Sequence, residues 1–389
     1  MKHIETEGLI IKSWCKDLDE ASKKQALNLA KLPFAFRHIA LMADAHSGYG
    51  MPIGGILACK DVVIPNAVGV DIGCGMRAVK TNLKEIDAKT LLKITHKIKK
   101  SIPVGFEHRK TPVEILPLNK WKEKTKTPMK IVSEQYKAAT FQAGTLGGGN
   151  HFIEIQKGSD GHIWFMIHSG SRNLGKQVAE YYNLQAKKLN MPNFPHVPKE
   201  ADLAFIPITE KLFKEYLAEM NFCVEFALLN RKTMANIVKG IFTEEIPGCS
   251  FYDDIDIAHN YCKKEEHFKK EVWVHRKGAT SAYNGQTGII PGSQGTKSYI
   301  VKGLGNEESF MSCSHGAGRK MSRKQAIREL DFHKEKNKLD SQGIIHSITG
   351  RGQLDEAAGA YKNIEDVMQA QRDLVSIETE LTPLAVVKG

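Results

Sequence analysis

Residues 163–171 read Ile-Trp-Phe-Met-Ile-His-Ser-Gly-Ser, an apolar, β-branched and aromatic run that breaks directly into a polar turn. A run this short, bounded by glycine, predicts a buried strand rather than a helix. The turn behind it predicts a site, because a rigid strand positions the loop that follows. Residues 298–301, after Pro-Gly-Ser-Gln-Gly, repeat the pattern with the turn in front. Such runs do not alternate regularly with the helical patterns, which argues against a doubly wound parallel sheet. The class expected is α+β, one large mixed domain over 1–389 around a central β core.

The helical patterns lie around these runs. Residues 20–31 form a short helix that must stop before Pro33, since the residue preceding proline disfavours the α region. Asp87 caps a helix carrying Leu91, Ile94, Ile98 and Ile102 at spacings of three and four. The longest pattern covers 209–239, with Phe213, Tyr216, Leu217, Met220, Val224 and Leu228 on one core-facing stripe and Gly240 as its stop. Asn363, followed by Glu365 and Asp366, opens a last helix expected to reach about Glu380.

Hydrophobic residues make up 41% of the 389 and charged residues 25%, the balance of a chain that buries a core, so disorder of the whole is excluded. No run approaches the roughly 18 apolar residues of a membrane-spanning helix. The opening MKHIETEGLIIKSW lacks an apolar stretch followed by a small-residue cleavage site, so a cytoplasmic protein with no membrane partner is expected. Seven scattered cysteines, none in a C-x-x-C pair, imply no disulfide framework and fit a reducing compartment. Net charge is +11 and clustered: 89–130 holds 12 Lys/Arg against 3 Glu, and 319–338 holds 8 against 3 acidic residues. The first cluster falls in a basic, mostly helical segment of about 85–140. Clustered cations suit a phosphate backbone, and equally a solvated surface kept soluble by charge.

Five stretches place a ligand or nucleophile beside glycines: ADAHSGYGMPIGG (43–55), VGVDIGCGMR (68–77), GTLGGGNHFIE (144–154), IHSGSRNLGK (167–176) and SCSHGAGRK (312–320). Asp71 and Cys74, three apart, converge on one cation if the glycines turn the chain, and a thiolate can bridge two. Taken alone they read better as a turn residue and a small buried hydrophobe. His151, His168 and His259 add neutral imidazoles and tip the balance towards a metal site, for which donor softness alone indicates zinc. Gly170 to Lys176 spells G-x-x-x-x-G-K, but Gln177 stands where a phosphate loop needs Ser or Thr. There is no Lys-x-Asp-Gly of lysine-nucleophile ligases and no H-x-[S/T] of two-histidine phosphoesterases. His315, between Ser314 and Gly316 and followed by Arg319 and Lys320, reads either as a nucleophile towards an α-phosphorus or as a fourth metal-binding histidine. Arg172, Arg319 and Lys320 are candidates to hold phosphate charge.

Together with AHN (258–260), VHRKGATSA (274–282), GIIPGSQGTKSYIVKGLGNEESF (288–310) and the terminal Val-Val-Lys-Gly, these stretches closely resemble the RtcB family of GTP- and Mn²⁺-dependent RNA ligases, nearly end to end. The resemblance implies an RtcB-like architecture and two Mn²⁺, not zinc, on Asp71, Cys74, His151, His168 and His259. It implies His315 as the residue that accepts GMP. Nucleotide contacts carry over to Asn150, His151, Phe152, Ile153 and Glu154, to Arg172, and to His259 and Asn260. They carry over also to Pro291, Gly292, Ser293, Gln294 and Ser298, to His315, Gly316, Ala317 and Gly318, and to Lys388. Glu154 makes chemical sense, since a carboxylate accepts two N–H donors from guanine that adenine does not offer. Three positions depart from common family forms: Ala43 for proline, expected to slacken a turn, Gln294 for methionine, and the variable Ser47.

The resemblance implies an activity: joining RNA 3′-phosphate or 2′,3′-cyclic phosphate ends to 5′-hydroxyl ends, in tRNA splicing or repair of tRNA and rRNA fragments. It implies a histidine–GMP intermediate, an RNA(3′)pp(5′)G end, and an archease-type activator as a partner. The rival readings are a guanylyltransferase that caps 3′-phosphate ends without joining them, a metal-dependent phosphoesterase, and a catalytically idle RNA-binding protein. The last should have lost a ligand or His315, and all are present.

Overall fold

The computed structural model describes residues 1–190 and 197–388. Gly389, the end of the Val-Val-Lys-Gly motif, lies outside the described residues. The fold is α+β, as expected. A seven-stranded sheet runs in the order Phe251–Ala258, Gly75–Thr81, Ile163–Ser169, Phe152–Gly158, Val375–Lys388, Ser298–Gly303, Thr287–Ile290. A six-stranded sheet runs Lys2–Ile4, Ile10–Ser13, Ala35–His46, Ile53–Cys59, Lys270–Lys277, Asn260–His267. Within these two sheets every pairing is antiparallel except that of Ile10–Ser13 with Ala35–His46. The sheets are joined at His259, which separates the last strand residue of one, Ala258, from the first of the other, Asn260. Among the described residues no helix is long and apolar enough to cross a membrane.

Local chemistry accounts for the helix starts. Asp19 and Asp87 cap Glu20–Ala30 and Ala88–Ser101, accepting from the backbone N–H of Ser22 and Thr90 at 2.9 and 3.0 Å. The second of these buries Leu91, Ile94 and Ile98 against Ile153, Ile155, Phe165 and Phe242. The basic segment is helical at Ala88–Ser101, Leu118–Thr125 and Lys130–Gln142.

Two expected element ends are corrected. The long helix is Lys211–Glu245 and runs through Gly240. Glycine there costs about 1 kcal/mol, but Ile241 and Phe242 beyond it are buried in the core, and that burial carries the helix onward. The late helix stops at Ala370, and Val375–Lys388 is a strand. Its residues alternate in burial and pair with Ser298–Gly303 on one side and Phe152–Gly158 on the other. Pro383 would in any case have broken a helix.

Candidate active site

Four neighbouring strands of the seven-stranded sheet bring one end each to the same place. Because they are antiparallel, that end is the start of Gly75–Thr81 and Phe152–Gly158 and the finish of Ile163–Ser169 and Phe251–Ala258. Cys74 precedes the first, His151 the second, His168 lies in the third, and His259 follows the fourth. Residues far apart in sequence thus line one sheet edge. Cys74 Sγ lies 3.5 Å from His151 Nε2 and 3.3 Å from His168 Nε2, and His151 Nε2 lies 3.1 Å from Asp71 Oδ2. The donors fall into two groups that share the thiol: Asp71, Cys74 and His151, and Cys74, His168 and His259.

The donor chemistry fits a pair of cations. His151 Nδ1 faces Leu146 O at 2.9 Å and His168 Nδ1 faces Asn150 O at 3.0 Å, which puts a ring proton on each Nδ1 and turns each Nε2 to the cluster, where that of His151 meets either a cation or a second proton shared with Asp71. Burial above all, with the neighbouring histidines, keeps His168 and His259 neutral, well below the ordinary histidine range. His259 Nδ1 is buried and has no partner among the described residues. Burial would raise Asp71, but the His151 hydrogen bond and charge outweigh it and hold the carboxyl at about 2. Burial, then the Asp71 charge, pushes the Cys74 thiol far up, so without a cation it keeps its proton.

The long helix holds this edge in shape. Arg231, almost wholly buried, donates to Gly73 O and Ser169 O, both at 2.9 Å, and pairs with Asp256. Asn230 Nδ2 reaches Gly170 O at 3.0 Å, and its Oδ1 accepts from the N–H of Gly144 and Thr145. Gly170 is glycine for a steric reason: a Cβ there would sit 2.2 Å from Asp71 Oδ1. Asn260 donates to Asp71 O at 2.9 Å and accepts from Gly278 N at 2.7 Å, tying the two sheets at the site.

His315 approaches from the six-stranded side, just past the short strand Ser312–Ser314. Its ring is 4.9 Å from that of His259, T-shaped. Its Nδ1 lies 2.6 Å from Oδ2 of Asp44, which is fully buried in strand Ala35–His46. The backbone N–H groups of His315 and Gly316 donate to the same oxygen at 3.1 and 3.3 Å. Burial would raise Asp44, but a protonated His315 ring, by its charge and hydrogen bond, holds the carboxyl down. Facing that carboxylate, Nδ1 carries a proton in either charge state of the ring, and Nε2 has no hydrogen-bond partner among the described residues. His315 belongs to neither donor group of the cluster. Sequence reading quoted the ADAH stretch without singling out Asp44. The available signal was a carboxylate in an otherwise apolar strand, ALMADA.

Beside His315 opens a cavity of about 420 Å³. Of the expected contacts it takes in Asn150, Phe152, Glu154, Pro291, Gly292, Ser293, Gln294, Gly316, Ala317, Gly318 and Lys388, and it also reaches the candidate metal donor His168. A second cavity, about 460 Å³, meets it at Asn150 and His315 and holds Asp71, Cys74, His259 and Asn260. Glu154 is buried on the cavity-facing side of its strand, where burial raises its carboxyl to about 8. Lys388 Nζ, lowered by burial to about 8, donates to Gly149 O at 2.8 Å.

Other expected contacts stand elsewhere. Ile153 alternates to the opposite face and packs in the core with Ile155 and Phe165. Ser298 acts one step back, its Oγ accepting from Gly292 N at 3.1 Å. Arg172 lines neither cavity; it donates to Thr145 Oγ1 and Gly105 O. Arg319 does line the cavity beside His315, engaged there by Glu356 at 2.8 Å and by Asp355 O, whereas Lys320 is exposed. Gln294 Nε2 donates to Glu356 O at 3.0 Å. Ala43 lies inside strand Ala35–His46 and is packed in the core, so no turn is slackened there. The G-x-x-x-x-G-K run is not a loop, since Gly175 falls in helix Arg172–Leu189. In the basic segment Trp121 packs edge-on against Phe222 at 5.4 Å, and Lys97 is paired with Glu244 and Glu245.

Comparison with known proteins agrees with this geometry. The family model described as tRNA-splicing ligase RtcB matches residues 25–126 and 116–389. The chain is 39% identical to RNA-splicing ligase RtcB of Escherichia coli (strain K12), covering 99% of this chain and 98% of that protein. It is 33% identical to tRNA-splicing ligase RtcB of Pyrobaculum aerophilum, covering 94% and 90%. It is 32% identical to RNA-splicing ligase RtcB homolog 1 of Entamoeba dispar, covering 94% and 81%. With two donor groups sharing one thiol beside a carboxylate-held histidine, and a match over nearly its whole length, the chain belongs to the RtcB family.

Proposed function

We propose that this chain is an RNA ligase that consumes GTP, takes GMP onto His315, passes it to an RNA 3′-phosphate, and joins that end to a 5′-hydroxyl end. The observation that carries the reading is His315 itself: a ring fixed at Nδ1 by a buried carboxylate, with its other nitrogen open to a nucleotide-sized cavity and its ring against a metal-binding cluster. The two basic stretches and both sheets act as one ligase unit over 1–389.

Asp44 holds the Nδ1 proton, so Nε2 presents its lone pair to the α-phosphorus. The bond from phosphorus to Nε2 forms as the bond to the β-phosphate oxygen breaks, and pyrophosphate leaves. Glu154 accepts from guanine N1–H and N2–H, and the loop 291–293 with Gly316 to Gly318 walls the same cavity. Asp71, Cys74 and His151, and Cys74, His168 and His259, would hold two Mn²⁺, which when bound neutralise phosphate charge and fix in-line geometry. The RNA 3′-phosphate then takes GMP from His315, and a 5′-hydroxyl attacks the activated phosphate and expels GMP. A 2′,3′-cyclic end is first hydrolysed to the 3′-phosphate. The end chemistry fits tRNA splicing or RNA repair in the cytoplasm, with an archease-type protein as activator.

The test is incubation with GTP labelled at the α-phosphate and Mn²⁺, then addition of 3′-phosphate and 5′-hydroxyl RNAs. The expected result is acid-labile label on the protein, transferred to RNA and released on joining. Label that reaches RNA without joining would favour the capping guanylyltransferase. No label on a metal-loaded protein would end the ligase reading and favour the phosphoesterase.

Glu154 makes the nucleotide step pH-dependent. A carboxyl raised to about 8 is mostly protonated at pH 7 and accepts guanine's two donors only when ionised. Affinity for GTP should therefore increase with pH, by about fivefold from pH 7 to pH 8, and level off above. Calorimetric titration of Glu154→Gln supplies the control, because any dependence from the metal ligands persists in the variant. A wild type and variant with the same pH profile would remove Glu154 from guanine recognition.

A further inference from the structure

The segment just after helix Ala88–Ser101 carries a feature that the ligase reading does not use. Phe106 is fully exposed, and it stands at the tip of a tight turn closed by Glu107 N to Val104 O at 3.1 Å. Gly105, at φ +60°, makes the first corner, a conformation that glycine adopts without strain. An isolated exposed phenylalanine on a flexible loop would need no explanation. The backbone beside this one is hydrogen-bonded to the glycine loop of the candidate site.

The anchoring is specific. Leu146 N donates to Pro103 O and Gly105 N to Gly147 O, both at 2.9 Å, so 103–105 is zipped along the glycine loop. Arg172 adds a bond from Nη2 to Gly105 O at 3.3 Å. The same loop carries Asn150 and His151, and Leu146 O receives the proton of His151 Nδ1. Across the loop, Arg323 lies against Gly149. Phe106 thus stands exposed one residue beyond the segment zipped to the loop that carries Asn150 and His151. Lys99, Lys100, Arg109 and Lys110 surround it in sequence against the lone carboxylate Glu107.

We propose that Phe106 is a stacking platform for an unpaired nucleobase at the RNA end held in the active site; the idea rests on the ligase reading above. An exposed aromatic ring on an anchored turn, in a stretch of chain rich in lysine and arginine, matches single-stranded nucleic acid, where charge tracks the backbone and rings take the bases. It matches a protein partner less well, since no further exposed aromatic within 103–113 accompanies it to build an apolar patch.

The experiment is a fluorescence-anisotropy titration with short single-stranded RNAs, comparing wild type, Phe106→Ala and Phe106→Trp, with GMP labelling of each protein measured alongside. Labelling should be unchanged, because Phe106 lines neither cavity. Phe106→Ala should weaken RNA binding about five- to a hundredfold with the salt slope kept, and Phe106→Trp should restore it. An RNA lacking its terminal base should lower wild-type affinity to that of Phe106→Ala and lower the variant no further. Equal affinity of Phe106→Ala and wild type, or additive losses with abasic RNA of both polarities, would overturn the proposal. Because RNA binding is read directly, absent labelling would count against the ligase reading and not against this one.

Discussion

His315→Ala is expected to abolish protein-bound GMP, and Asp44→Asn, which leaves the nucleophile in place, to slow its formation by about 10²- to 10⁴-fold. Asp44 gives one oxygen to three donors: the Nδ1 proton of His315 and the backbone N–H groups of His315 and Gly316. An asparagine can return a carbonyl to that position but carries no charge to stabilise the ring as it becomes cationic on phosphorylation. It can also present its amide, which would shift the ring proton to Nε2 and silence the attacking atom. Because Asp44 does not line the nucleotide cavity, the loss should fall on the rate constant and leave GTP binding nearly intact. Single-turnover labelling at saturating GTP measures it, with a thermal melt to show that the variant is folded. A folded Asp44→Asn that labels within threefold of wild type would dismiss the carboxylate as a positioning group.

Cys74→Ala should cost both ions together, whereas His151→Ala and His259→Ala should each weaken only one. The reason is the shared thiol: Cys74 is the member common to both donor groups, 3.5 Å from His151 Nε2 on one side and 3.3 Å from His168 Nε2 on the other. Loss of a direct ligand should exceed the roughly 10- to 100-fold in affinity that supporting groups are worth. Elemental analysis after dialysis against limiting Mn²⁺ is the measurement. Expected are near-complete loss for Cys74→Ala and retention of about one ion per chain for each histidine variant. Two ions retained by Cys74→Ala would refute the bridging arrangement.

The residues themselves announced much of this site. Asp71, Cys74, His151, His168 and His259 stand in glycine-bordered turns after or before short apolar runs, and that local pattern survives without any knowledge of packing. Arg231 and Asn230 gave no such signal, because within a long helix they read as ordinary polar positions beside a core stripe. Only the crossing of that helix beneath the sheet edge turns them inward to bind Gly73, Ser169 and Gly170. Asp44 was hidden in the same way: its partner lies 271 positions away, at His315.

By itself the sequence determined the α+β class, the short helix beginning near residue 20, the capped helix starts at Asp87 and Asn363, the short buried strands, and the inventory of candidate donors with His315. These depend on interactions within a few residues: side-chain caps, glycine turns and hydrophobic period. Tertiary structure decided what those signals cannot reach. It carried the long helix past Gly240, because the burial of Ile241 and Phe242 outweighs a glycine. It made 375–388 a strand by offering it two pairing edges at once. It gathered the candidate donors into two groups sharing Cys74, and turned Nδ1 of His315 to Asp44. Each of these depends on contacts between distant segments, where burial and hydrogen-bond partners are settled only when the sheets close on one another.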